Sequence, residues 1–254
     1  NLVRIPAEPA NQRWIETVHN IHYITKFEEA CMWGLPDFEH QDNSICRESY
    51  DTALLAVGGV LKAIDAVMNG EVKNAFCAVR PPGHHAEVNQ AMGFCYFNNV
   101  AIGARYLQQQ YGVEKVCIID FDVHHGNGTE DIVSGDKRFL FCSTFQHPLY
   151  PHSGVDTQAS NIVNVPLPAG CSGGDFRTAV SEQWLPRLAE FKPQLVMVSA
   201  GFDAHDVVTS ASELEDMGVA GDLDGGASQL DQLRQAWERN CARIRHYIDR
   251  KNES

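Results

Sequence analysis

Asp120, Asp122 and His124 alternate within Lys115–Thr129, which begins as the apolar run Val116-Cys117-Ile118-Ile119 and ends in the glycine-punctuated turn Gly126-Asn127-Gly128-Thr129. Residues two apart in extended chain leave on one face, so carboxylates and an imidazole at a strand's carboxyl end can share one metal ion. The spacing is short, and taken alone it fits equally well a buried strand followed by a loop of hydrogen-bonded histidines. Two other loops bear on the choice. Arg80-Pro81-Pro82-Gly83 stops one apolar run and is followed at once by His84 and His85, and Ser199-Ala200 ends another before Gly201-Phe202-Asp203-Ala204-His205. If the last two strands are neighbours, Asp203 joins Asp122 and His124. Two carboxylates and one neutral imidazole suit a divalent metal that keeps positions open for water and substrate, which is the arrangement of a catalytic site.

The elements that must hold these loops are legible as alternating strands and helices. Ala75–Val79, Val116–Asp120, Phe139–Thr144 and Gln194–Ala200 read as short, β-rich apolar strands. Apolar residues at helical spacing (Tyr50, Leu54, Val57, Leu61, Ile64, Met68) predict a helix from Arg47 to about Asn69, and further helices are predicted over Phe97–Tyr111 and Gly173–Phe191. Such alternation implies an α/β fold with a mostly parallel sheet whose loops gather along one edge, where open α/β sheets carry their chemistry. Residues 1–46 show least pattern, with helix suggested around Trp14-Ile15 and Val18–Ile24 and an acidic loop after Gly34-Leu35-Pro36.

The bulk numbers narrow the function classes. At 254 residues, with no repeat, low-complexity run or linker, the chain reads as one domain over 1–254. With 33 acidic against 20 basic residues the formal charge is −13, which argues against nucleic acid as a partner and favours a cationic one. The eight cysteines include no C-x-x-C pair and read as reduced, mostly buried thiols of a cytoplasmic protein. No long apolar run or charged-then-apolar leader is present, so neither membrane insertion nor secretion is expected.

Four motifs occur in order: Arg80-Pro-Pro-Gly-His-His-Ala86, Gly93-Phe-Cys-Tyr-Phe-Asn-Asn99, Asp120-Phe-Asp-Val-His-His-Gly-Asn-Gly-Thr129 and Ser199-Ala-Gly-Phe-Asp-Ala-His205. Together they resemble the zinc-dependent histone deacetylase and acetylpolyamine amidohydrolase family, most closely its class II and bacterial members, over about residues 15–206. The resemblance implies a three-layer, arginase-like α/β fold. It implies that Asp122, His124 and Asp203 bind zinc and that His84 and His85 are the catalytic pair, with Asp120 behind the first and Asn127 behind the second. It further implies that Gly93, Phe94 and Tyr150 line a narrow channel for an acylated amine, and that Asp120, Asp122, His124, Ser143 and Thr144 surround a structural potassium ion. Asp42 matches a rim aspartate of some relatives, although a solvated loop carboxylate is the simpler reading. Two anionic ligands nearly neutralise Zn²⁺, so a separate general base is required for the attacking water. A carboxylate raises the pKa of the imidazole it faces and a neutral amide does not, which points to His85 as that base.

The chain departs from the family pattern after Asp203. The family's Glu-Gly-Gly-Tyr, whose tyrosine hydrogen-bonds the amide oxygen, is not found; Gly225-Gly226 is followed by Ala227, and Asp206-Val207-Val208-Thr209 replaces the usual Asp-Pro-Leu. Leu230, Leu233, Trp237, Cys241, Ile244 and Ile248 mark an amphipathic helix instead. The domain therefore reads as trimmed at both ends, with weak turnover and self-association through the exposed edges as expectations. The alternatives are a catalytically silent zinc-binding protein of the same fold and, with less support, a two-manganese ureohydrolase-like enzyme.

Overall fold

The computed structural model describes residues 3–203. The predicted amphipathic C-terminal helix, Gly225-Gly226 and Asp206 lie outside the described residues. Two short helices open the chain, α1 (Gln12–Ile15) and α2 (Ile21–Trp33), followed by an antiparallel hairpin of β1 (Asp37–Phe38) and β2 (His40–Ser44). Then come α3 (Ser49–Met68), α4 (Asn99–Tyr111), β3 (Val116–Asp120), α5 (Asn127–Val133), β4 (Phe139–Gln146) and β5 (Ile162–Leu167), and finally α6 (Gly173–Ala179), α7 (Leu185–Phe191) and β6 (Leu195–Ser199). β3 to β6 form one sheet in the order β5-β4-β3-β6, every pair parallel.

Period-two alternation along these strands splits the core into two layers. Val116, Ile118, Phe139, Phe141 and Ile162 face one way, into the larger core built with α2, α3 and α4. Cys117, Ile119, Leu140, Cys142 and Val163 face the other, where Trp184 and Leu188 cover them. The result is helix, sheet and helix in three layers. Every residue of β3 is buried, as expected for a central strand enclosed on both faces. The hydroxyls of Tyr106 and Tyr111 on α4 both donate to Asp65 on α3 at 2.7 Å, tying the two helices of the larger layer together.

Three local expectations are corrected. Ala75–Val79 lies outside any strand of the described residues: it alternates half-buried with exposed positions, Phe76 is 61% exposed, and no ladder partner is paired with it. Its apolar composition is satisfied from one side only, where Val79 packs toward Gly59 of α3. The predicted helix over Gly173–Phe191 is interrupted by a π-turn at Val180–Trp184, just before Pro186, whose ring nitrogen cannot donate to the preceding turn. The acidic loop after Pro36 is the β1–β2 hairpin. All seven cysteines among the described residues are free, and Cys31, Cys95, Cys117 and Cys142 are buried. No helix of the described residues is long and apolar enough to cross a membrane.

Candidate metal centre

The parallel register places the chemistry. Asp120, the last residue of β3, stands opposite Ser143 of β4 on one side and Ser199 of β6 on the other. The loops leaving β3, β4 and β6 therefore emerge side by side from one edge of the sheet. Asp122, His124 and Asp203 converge there, each offering a ligand atom within 4.8 Å of the others. His124 Nδ1 lies 3.0 Å from Asp122 Oδ1 and 2.9 Å from Asp203 Oδ2.

The convergence has a different local origin from the strand alternation expected of it. β3 stops at Asp120, and the chain then turns on its own side chains. Asp120 Oδ1 accepts the Asp122 N–H at 3.1 Å, and Asp122 Oδ1 accepts the His124 N–H at 2.8 Å. These are two successive aspartate turns, which short carboxylates form readily. The Val123 N–H donates to Asp203 Oδ1 at 3.3 Å, linking this turn to the loop after β6.

Behind Asp122, His124 and Asp203 sit two buried histidines, their rings 3.9 Å apart. His84 Nδ1 pairs with the fully buried Asp120 at 3.0 Å, and its Nε2 lies 3.8 Å from Asp122. His85 Nδ1 meets Asn127 Oδ1 at 2.8 Å, with Asn127 presented by the first turn of α5. The partners divide the two imidazoles electrostatically. Burial is the largest influence on His84 and works downward, but Asp120, Asp122 and Asp203 outweigh it and leave its pKa raised. For His85 burial is again the largest influence, the neighbouring His84 adds to it, and the hydrogen bond that His85 donates to Asn127 recovers little; its pKa falls to about 3. One imidazole therefore favours the proton and the other is neutral.

The residues expected to line a channel lie in two loops, around Gly93-Phe94 and around Tyr150. Gly93 and Phe94 are consecutive left-handed residues, with φ of +57° and +63°. A side chain at Gly93 would place its Cβ 2.3 Å from His85 Cδ2, so only glycine lets the chain pass the imidazole. Phe94 in this region is an uncommon conformation for a bulky residue. It is held by the buried Asn43 of β2, whose Oδ1 accepts the Phe94 N–H at 3.0 Å, and the residue is left 55% exposed. Tyr150 stands edge-on to His85 at 5.3 Å and to His124 at 6.2 Å. Its hydroxyl pKa is raised by burial first and then by Asp42 of β2, with Cys95 and Glu87 also contributing.

Ser143 Oγ is buried without a hydrogen-bond partner, and Thr144 beside it is also buried. An orphaned hydroxyl next to the Asp120–His124 turn is the kind of oxygen that a monovalent cation satisfies. Residues that pattern reasoning missed include Asn43 and Glu87, the latter accepting an N–H of Asn127 at 2.7 Å. Glu87 is a single acidic residue two places after the histidine pair, and Asn43 sits in a polar hairpin without alternation, so neither carried a signal of its own.

Comparison with known proteins agrees with this geometry. The model of the histone deacetylase domain matches residues 1–215. A probable deacetylase of Archaeoglobus fulgidus is 43% identical over 202 residues, covering 76% of this chain and 55% of that protein. A histone deacetylase-like amidohydrolase of Pseudomonas aeruginosa is 38% identical over 208 residues, covering 79% and 54%. A polyamine deacetylase of Rattus norvegicus is 41% identical over 169 residues, covering 62% and 29%. Among solved structures, the HDA15 HD domain superposes with a TM-score of 0.73 at 35% identity, covering 80% of this chain and 60% of that one. The chain spans about half the length of the first two relatives. With the family model matching most of its residues and the arginase-like deacetylase fold reproduced in a solved neighbour, this chain belongs to the histone deacetylase domain family.

Proposed function

We propose that the chain is a zinc-dependent hydrolase of N-acetylated amines, and the observation that carries the reading is the convergence of Asp122, His124 and Asp203 next to two histidines with unlike partners. An N,O,O donor set of this kind fits Zn²⁺, which keeps a further position for water or substrate at a catalytic site. Bound there, the metal would polarise the amide carbonyl and acidify a water. His85, kept neutral, accepts the proton of the attacking water through Nε2 while Asn127 holds its other nitrogen. His84, biased toward its protonated form by Asp120, delivers a proton to the leaving amine. Phe94 and Tyr150 flank the acyl-amine arm and exclude water from it.

Potassium is the proposed occupant beside Ser143 and Thr144, with Asp120, Asp122 and the backbone carbonyl of His124 supplying further oxygens. Asp42, whose charge acts on Tyr150, and the −13 net charge, together with the likeness to a polyamine deacetylase, support a cationic substrate, either acetyl-lysine or an acetylpolyamine. Nucleic acid and membrane are not proposed as partners, in keeping with the −13 charge and a location in the cytoplasm. Exposed Met32, Trp33 and Leu35 at the end of α2 support self-association, which light scattering on a sized fraction tests directly; a monomer at micromolar concentration refutes it.

A second reading is a zinc-binding protein without turnover; the departure from the family pattern at Asp206-Val207-Val208-Thr209 favours it, and a deacetylase site that lacks one oxyanion donor is slower by about a hundred- to a thousandfold. The test pairs metal analysis with a fluorogenic trifluoroacetyl-lysine assay, in which a poor donor matters less, on the wild type and Asp203→Ala. Stoichiometric zinc with activity that Asp203→Ala abolishes supports the hydrolase. Zinc without activity supports the binding protein, and a wild type that retains no zinc refutes both.

A further inference from the structure

We propose that Glu87 is a positioning residue for the histidine pair: its carboxylate takes an amide N–H of Asn127, turns the amide oxygen to His85, and so holds that imidazole as the Nδ1–H tautomer with Nε2 free to accept a proton. The inference rests on His85 acting as the general base. Asn127 Nδ2 donates to Glu87 Oε1 at 2.7 Å, and Asn127 Oδ1 lies 2.8 Å from His85 Nδ1.

The logic is one of donors and acceptors. An amide has a donating end and an accepting end, and either could face the ring. A carboxylate can only accept, so it selects the NH₂ end and leaves the oxygen for His85. An amide oxygen can only accept as well, so the proton on His85 must reside on Nδ1. The ring itself has little freedom to turn, since Gly93 passes against Cδ2 and Tyr150 meets it edge-on. Tautomer, rather than orientation, is what remains to be chosen.

Without Glu87 the remaining acceptors for Asn127 Nδ2 are poor: Met92 Sδ at 3.1 Å, a weak acceptor, and the His85 carbonyl at 3.5 Å. The amide can then flip and donate to Nδ1, which moves the proton to Nε2 and leaves no lone pair facing the water. A flip populated in part of the molecules costs kcat and leaves substrate binding intact.

The experiment is a long-range ¹H–¹⁵N correlation spectrum of the His85 ring in the 254-residue chain, for the wild type, Glu87→Ala and Glu87→Gln, with steady-state kinetics on the zinc-loaded proteins. The wild type should show the Nδ1–H tautomer. Glu87→Ala should show a mixture and lose roughly tenfold in kcat with KM unchanged, short of the hundredfold or more that a general base supplies. Glu87→Gln, whose side-chain oxygen can still accept from Asn127, should restore both. A pure Nδ1–H tautomer in Glu87→Ala, or a Glu87→Gln no better than Glu87→Ala, overturns the proposal. The spectrum needs no turnover, so a wild type that is inactive with zinc bound refutes the role of His85 as base while the tautomers still decide the role of Glu87.

Discussion

Replacing Gly201 with alanine should damage the metal site without touching any ligand. Gly201 follows β6 in the loop that carries Asp203, and a Cβ built there falls 1.9 Å from Asp122 Oδ2 and 2.4 Å from Asp122 Cγ. Ordinary contact begins near 3.4 Å, so the carboxylate has to move by about 1.5 Å. A working metal site tolerates only about 0.2 Å in ligand distance. Asp122 is also the acceptor for the His124 N–H, so its displacement loosens a second ligand. Zinc affinity should fall at least about a hundredfold, or roughly 3 kcal/mol, while overpacking alone costs about 1–3 kcal/mol of stability. Competition against a chromophoric chelator measures the first and thermal unfolding of metal-free protein the second. If Gly201→Ala binds zinc within threefold of the wild type, the close approach of this loop to Asp122 does not constrain the site and the reasoning fails.

Ser143→Ala removes the orphaned buried hydroxyl, so any gain in melting temperature that the wild type shows in potassium over sodium should shrink or vanish in the variant; equal gains would place the cation elsewhere. Phe94→Gly suits the left-handed backbone and removes only the ring, so KM for an acylated amine should rise roughly fivefold with kcat nearly unchanged; a fall in kcat alone would contradict a wall role. His19 is buried, accepts the Asn98 N–H through Nε2 at 2.9 Å, and has its pKa lowered by burial to about 4. The unfolded chain takes up a proton near pH 6.5 and the folded one does not, so stability falls as pH drops from about 6.5 toward 4, by about 3 kcal/mol from this group. His19→Gln, measured by denaturant unfolding across that range, should show a flatter dependence; an unchanged slope refutes it.

How far the site could be read from residue types depended on how local its causes were. The β3 run and the Asp-x-Asp-x-His spacing were legible because a doubly covered strand and a metal cluster each leave short, dense patterns. Placing Asp203 beside them needed only the adjacency of β3 and β6, which short parallel strands with helical connections allow. The strand expected at Ala75–Val79 failed because apolar composition says nothing about whether a ladder partner is in place. The π-turn at Val180 escaped notice since Pro186 also suits the first turn of a helix, where its missing N–H costs nothing. β5 contains the exposed Pro166 and has no fully buried residue beyond Val163, so its strand pattern was faint. The β1–β2 hairpin, nearly all polar, gave no periodicity at all, yet it supplies the Asn43 that holds Phe94.

The turn after β3 and the loop after β6 touch through residues eighty positions apart, Val123 and Asp203. A cation gripped by Asp122, His124 and Asp203 would therefore act as a cross-link, closing a long loop that the unfolded chain leaves free. Its affinity and the stability of the β3–β6 edge become one quantity measured in two ways. Chelation should thus be felt first as a loosening of β6 against the sheet, visible as faster amide exchange there than in β4, before any global unfolding. Any substitution that weakens β6 will in turn read out as weaker metal binding, however far from the ligands it lies.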